Sequence, residues 1–132
     1  MTKFNLKIVT PQGIYKEVEV DQVNLRTTAG QIGILAHHMP LASGIEISAM
    51  DYVKDGSHET FAIAGGFVYV NDTETTIIAN AIESQEEIDL DRAQQAKKRA
   101  EERLKQTSND IDSMRAEIAL KRAITRIHVK NM

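Results

Sequence analysis

The chain has 132 residues, enough for one compact domain or for a small domain with an appendage. It has no cysteine, which excludes disulfides and thiolate metal sites, and no apolar run approaches the ~20 residues of a membrane-spanning helix. The formal net charge of −3 argues against a general nucleic-acid binder, but it conceals an asymmetry. Residues 1–87 hold 5 Lys/Arg against 12 Asp/Glu, whereas residues 88–132 hold 11 against 7. An acidic body carries a basic C-terminal segment. No signal-peptide pattern opens the chain, and the expectation is a soluble protein that meets a membrane only through a partner.

Phe4, Leu6 and Ile8 alternate with Asn5 and Lys7, the period-2 pattern of a half-buried strand. Thr10-Pro11-Gln12-Gly13 predicts a turn, with proline fixing φ at its second position. Val18 and Val20, then Val23 and Leu25, carry the alternation on. Gly30 and Gly33 bracket a short apolar piece, Pro40 interrupts the next, and Ile45 and Ile47 resume it. Met50, Tyr52 and Val53 lead into Asp55-Gly56, a strong hairpin signal, with Phe61 and Ile63 on the return strand. Gly65-Gly66 marks a bend or a close backbone approach before Phe67 to Val70. Asn71-Asp72 turns the chain into Thr75 to Ala79, which is rich in β-branched residues. Short strands and frequent turns predict an all-β sandwich or flattened barrel over residues 1–84 and argue against βαβ units.

At Glu86-Glu87-Ile88-Asp89-Leu90-Asp91-Arg92-Ala93 the character changes. Proline and glycine vanish, and Ala, Lys, Arg, Glu and Gln fill the remainder. Asp89 is the expected N-cap, and Glu86, Glu87 and Asp91 place negative charge where a helix dipole favours it. One polar break, Thr107-Ser108-Asn109-Asp110, stops a first helix and caps a second. Residues 85–132 therefore predict an antiparallel two-helix hairpin, and the whole chain an α+β protein.

Helical spacing puts Ala93, Ala96, Ala100 and Leu104 on one side of the first helix, and Ala116, Leu120, Ala123, Ile124 and Ile127 on one face of the second. An alanine seam between them is the expected packing. Ile111, Met114 and Ile118 occupy roughly the opposite face of the second helix. A lone hairpin covers one such face, so the other must meet the β-domain or a partner, or the helices must change partners between states.

Arg92, Arg99 and Arg103 share an arc of the first helix at i, i+7 and i+11, and Arg115, Arg122 and Arg126 repeat that spacing on the second. Antiparallel packing brings the two stripes together. A guanidinium cluster repels itself unless an anion intervenes, and its planar donors suit phosphate or carboxylate. The plainer alternative is a solvated face neutralised by Glu101, Glu102, Asp112 and Glu117.

Enzymatic signatures are absent: there is no Walker A loop, no G-x-G-x-x-G and no G-x-S-x-G. His37 and His38 are adjacent, so on an extended segment they point opposite ways and do not suit one metal ion. All six aromatic residues lie at or before Tyr69, leaving the basic half without a stacking platform for single-stranded nucleic acid.

The ordered set Val9-Thr10-Pro11-Gln12-Gly13, Gly30-Gln31-Ile32-Gly33-Ile34-Leu35 with His38 and Pro40-Leu41, Gly65-Gly66-Phe67 and Glu86-Glu87-Ile88-Asp89 with Arg92-Ala93 resembles the epsilon subunits of bacterial F-type ATP synthases over essentially the whole chain. The resemblance implies a non-catalytic rotor part of the central stalk that couples proton-driven c-ring rotation to ATP synthesis. The sandwich would bind the gamma subunit and rest on the c-ring. The hairpin would be compact or extended, the extended form reaching the alpha and beta subunits of the head and inhibiting ATP hydrolysis. The protein would then sit peripherally on the cytoplasmic face of the cell membrane.

Some bacterial members bind ATP on the compact form through I-D-x-x-R-A, here Ile88 to Ala93. By that similarity Glu83, Ile88, Asp89 and Ala93 would surround the adenine, and Arg92, Arg99, Arg122 and Arg126 would meet the phosphates. ATP would be a regulatory ligand, and no metal is implied. Two other classes remain open on the residues alone. One is a free-standing ATP-binding sensor, stable without other subunits; the other is a small anion-processing enzyme, for which no nucleophile, base or metal set is visible.

Overall fold

A computed structural model describes residues 2–132. Eight strands come first: β1 (Phe4–Thr10), β2 (Gly13–Val20), β3 (Gln22–Thr27), β4 (Gly30–Ile34), β5 (Leu41–Lys54), β6 (Ser57–Val70), β7 (Glu74–Ala79) and β8 (Ile82–Ser84). Two helices follow, α1 (Leu90–Gln106) and α2 (Asp110–Lys130). The strands hydrogen-bond in the order β2-β1-β7-β6-β5-β3-β4, with β8 added beside β6. All pairs are antiparallel except β1 with β7, which run parallel with Ile8 opposite Ile77.

Turn chemistry sets the register. In the β1–β2 turn the Thr10 hydroxyl accepts from the Gln12 amide and donates to the Gly13 carbonyl. Thr27 does the same job for the β3–β4 hairpin, accepting from Ala29 and donating to Gly30, and is itself buried. Asp55 and Gly56 both have positive φ (51° and 81°), the mirror-image turn that matches strand twist in a two-residue hairpin. At the β6–β7 corner the Asn71 side chain accepts from the amides of Thr73 and Glu74.

Alternation then sorts the side chains. Leu6, Ile8, Val20, Val23, Leu25, Met50, Phe61, Ile63, Val68 and Ile77 point inward and form one core. The sheet folds over so that its β2 end meets β5 and β6: the Tyr15 ring stands edge-on to Phe61 at 6.2 Å, and Lys16 reaches Tyr52 and Glu59. The N-terminal part is a β-sandwich.

Two features of the sandwich differ from the sequence reading. First, β5 and β6 each run 14 residues, well beyond the short strands expected. Gly65-Gly66 bends β6 without ending it. Before the bend β6 pairs with β8, and after it with β7. Gly65 and Gly66 adopt φ of 81° and 149°, and a Cβ on Gly66 would sit 2.0 Å from the Ile78 carbonyl oxygen. Second, Phe61 to Gly65 are buried on both faces. Phe61 and Ile63 fill the sandwich, while the small Ala62 lies beneath α2 with Ile88 and Val129.

The helices end and begin as their capping residues dictate. Asp89 caps α1, its carboxylate accepting from the Arg92 amide, and Asn109 caps α2 by accepting from Asp112. Ala93 and Ala100 of α1 are buried, as are Ala116 and Ala123 of α2, which forms the expected alanine seam. Ile124 departs from that expectation: it is 46% exposed. Alanines bring the helices close and make the seam narrow, and Ile124 lies about 80° from Ala116 around the helix, beyond its edge.

Ile111, Met114 and Ile118 are exposed as well. They share the face of α2 that carries Val129, which is fully buried on the sheet. The sandwich reaches only the C-terminal turns of α2, and the rest of that face overhangs it. Among the described residues, no helix is long and apolar enough to cross a membrane.

Candidate functional site

The site grows from the hinge between β8 and α1. After Ser84 the chain turns back on itself, with the amides of Glu87 and Ile88 both donating to the Ser84 carbonyl. The Ser84 hydroxyl accepts from the Glu87 amide at 3.2 Å, and Glu87 Oε1 accepts from the Ser84 amide at 2.9 Å. This reciprocal pair is the bonding of an S-x-x-E capping box applied to a turn. The Tyr15 hydroxyl, from β2, donates to the same carboxylate.

That environment shows in the proton affinities. The Tyr15 bond, supported by the Ser84 amide, holds the Glu87 carboxyl below its ordinary range. Burial, then the neighbouring carboxylate, pushes the Tyr15 phenol well above its usual value. Glu87 is therefore a fixed anion at the hinge.

Beyond the hinge, α1 and α2 enclose a cleft of about 300 Å³ lined by Glu83, Glu87, Asp89, Arg92, Ala93, Ala96, Arg99 and Arg126. Small alanines at 93 and 96 leave the space, and arginines from both helices edge it. Glu83 Oε1 accepts from Arg126 Nε at 2.7 Å, each side chain about a third exposed. Asp89 spends one carboxylate oxygen on the helix cap. Arg92 and Arg99 form no ion pair among the described residues, and neither do Glu101, Glu102 or Glu117. The neutralised-face alternative thus lacks its pairs. Two guanidinium groups, with a third tied to Glu83, converge on one cleft with donors to spare.

Of the residues the resemblance implied, Glu83, Asp89, Arg92, Ala93, Arg99 and Arg126 line this cleft together. Arg122 lies next door, on a shallow depression that shares Glu83 and Arg126. The Ile88 side chain is buried against Ala62 and Val129 and does not line the cleft. The stripes of arginine divide: Arg103 and Arg115 edge a separate depression beside Thr107 and Asp112. Glu87 and Ala96 complete the lining and were missed from sequence. The S-x-x-E spacing of Ser84 and Glu87 was a visible signal for the first, whereas its Tyr15 partner, 72 residues away, left none.

His37 sits in the left-handed region (φ 63°), and His38 Nδ1 bonds the Met39 carbonyl at 2.7 Å. Neither belongs to a cluster of potential metal ligands among the described residues.

A family model for the ATP synthase delta/epsilon chain β-sandwich domain matches residues 3–85, and one for its long α-helix domain matches residues 86–131. The chain belongs to the ATP synthase delta/epsilon family. The ATP synthase epsilon chain of Bacillus licheniformis is 43% identical over 129 residues, covering 98% of both chains. That of Desulfitobacterium hafniense is 47% identical over 125 residues, covering 95% of this chain and 94% of the relative. The fold is similar to a chain in the cryo-EM structure of the Euglena gracilis mitochondrial ATP synthase OSCP/F1/c-ring assembly, with a TM-score of 0.85 at 23% identity over all of this chain and 83% of that one. A chain in the central stalk and c-ring structure from Tetrahymena thermophila gives 0.62 at 15% identity, covering 98% of this chain and 95% of that one. Both epsilon-chain relatives match along essentially their whole length, so sandwich and hairpin belong to the family together.

Proposed function

We propose that this member of the delta/epsilon family is a non-catalytic central-stalk subunit whose hairpin restrains ATP hydrolysis and whose compact form is stabilised by ATP. The observation that carries the regulatory half is the convergence of Arg92 and Arg99 of α1 with Arg126 of α2 on one cleft. These groups repel while the helices are packed, and a triphosphate relieves that repulsion with charge-assisted bonds. Extending the hairpin separates α1 from α2 and dissolves the cleft, so ATP favours the compact state by its difference in affinity between the two. A 100-fold difference shifts the balance by about 2.7 kcal/mol at saturation, enough to operate a switch.

The stalk role rests on the family membership and on the sandwich's outer surface. Ile14, Val9, Ile78 and Phe67 stand opposite one another across β2, β1, β7 and β6, and Ile14, Phe67 and Ile78 are about half exposed. An apolar row across four strands suits a protein partner better than water. In this reading that partner is the gamma subunit, with the c-ring below and the alpha and beta subunits above, and the chain is held peripherally at the cytoplasmic face of the membrane through them.

Truncation after Lys105 tests the switch, because it removes α2 and leaves the sandwich whole. The reconstituted enzyme should assemble normally and hydrolyse ATP faster than with the full chain. Equal hydrolysis at every nucleotide concentration would overturn the regulatory reading.

A further inference from the structure

The end of α2 is fastened to the hinge by bonds that use none of the cleft residues. Gln85 is the centre of them. Its amide donates to the Thr60 carbonyl of β6 at 3.0 Å, which fixes the residue to the sheet. Its side-chain amide donates to the Val129 carbonyl at 3.0 Å and to a main-chain oxygen of Met132 at 2.9 Å. Lys130 Nζ returns a bond to the Gln85 carbonyl, also at 3.0 Å. Beneath them the Val129 side chain is fully buried with Ile88 and Ala62. Glutamine suits this position because one NH₂ group carries two donors and no charge, and so meets the Val129 carbonyl in the last turn of α2 and a main-chain oxygen of Met132 just beyond it.

We propose that Gln85, with Lys130, is a nucleotide-independent lock that holds the C-terminal end of α2 docked on the sandwich. Two restraints on the hairpin then act separately. The cleft bridges α1 to α2 and responds to an anion; the lock bridges α2 to the sheet and responds to none. ATP draws on Arg126, whose partner is Glu83, but leaves every Gln85 bond in place. The undocked population is accordingly set by Gln85 and Lys130 even in the absence of nucleotide. The lock bears on regulation only if the compact and extended forms of the preceding section exist, but its effect on docking stands without them.

Methyl NMR of the isolated full chain, labelled at alanine and valine, reads docking directly. The Ala62 and Val129 methyl groups report the docked contact, and relaxation dispersion measures the undocked fraction. Gln85→Ala removes two side-chain bonds and should raise the undocked fraction roughly tenfold. Gln85→Glu, which sets a carboxylate against two main-chain oxygens, should raise it further, and Lys130→Met should act in the same direction. Lys105→Met in α1 should leave it unchanged. Val20 and Val68 of the sandwich core should keep their wild-type signals in every variant, which shows that the sandwich is folded. Ala62 and Val129 signals of Gln85→Glu that match the wild type in position and dispersion would overturn the lock. Undocking without any change in hydrolysis by the reconstituted enzyme would support the lock and overturn the regulatory reading instead.

Discussion

Glu59 illustrates how single residues tie the sandwich together. Its carboxylate accepts from the Tyr52 hydroxyl and from Lys16 Nζ, joining β2, β5 and β6 at the open end of the core. The Tyr52 bond, with Lys16 behind it, holds the Glu59 carboxyl below its ordinary value near 4.5. A depressed carboxyl stabilises the fold fully above the unfolded pKa and loses that contribution as pH falls through the folded one. Glu59→Gln should therefore cost stability near neutrality and flatten the decline in melting temperature below about pH 4.5, as thermal unfolding across a pH series would measure. Because Glu59 is half exposed, the cost should stay at or below about 1 kcal/mol. The same scale divides what sequence reveals from what it hides. Asp89 as a cap, and Arg92 with Arg99 seven residues apart, are local patterns that periodicity exposes. Tyr15 with Glu87, and Gln85 with the end of α2, join residues 72 and 44 or more apart in sequence, and no spacing rule encodes them.

Among the elements, β6 decides the architecture. It continues through Gly65-Gly66 because those glycines supply positive φ where the strand exchanges β8 for β7. Glycine pairs commonly end strands, so the sequence suggested two short segments where the protein has one bent strand shared by both layers. Gly66→Ala should be strongly destabilising, by more than about 3 kcal/mol, since the new Cβ would collide with the Ile78 carbonyl and the backbone is already strained for an L-residue. Urea unfolding of the full chain would show the midpoint fall by that free energy divided by the m-value, with the m-value itself unchanged. Helix positions were legible from composition, their caps from Asp89 and the Thr107-to-Asp110 break, and the alanine seam from helical spacing. The exposure of Ile124 was not, because helical periodicity gives the direction of a face but not the width of the contact that covers it.

At the scale of the whole molecule, three surfaces stand apart. The apolar row across β2, β1, β7 and β6 faces outward from the sandwich, the overhanging Ile111, Met114 and Ile118 face outward from α2, and the arginine cleft opens between hinge and hairpin. The charge asymmetry of the sequence follows the same division, with an acidic body and a basic hairpin that we propose as the sensor. The most direct test of the sensor is isothermal titration of ATP into the isolated full chain and its variants. One site is expected, with affinity cut at least tenfold by Arg92→Ala or Arg126→Ala, the loss of about one charge-assisted bond. Lys54→Ala, a change of equal charge on the β5–β6 hairpin, should leave the affinity within twofold. Equal weakening by all three substitutions would mean that diffuse electrostatics binds the nucleotide, and would contradict the assignment of the cleft.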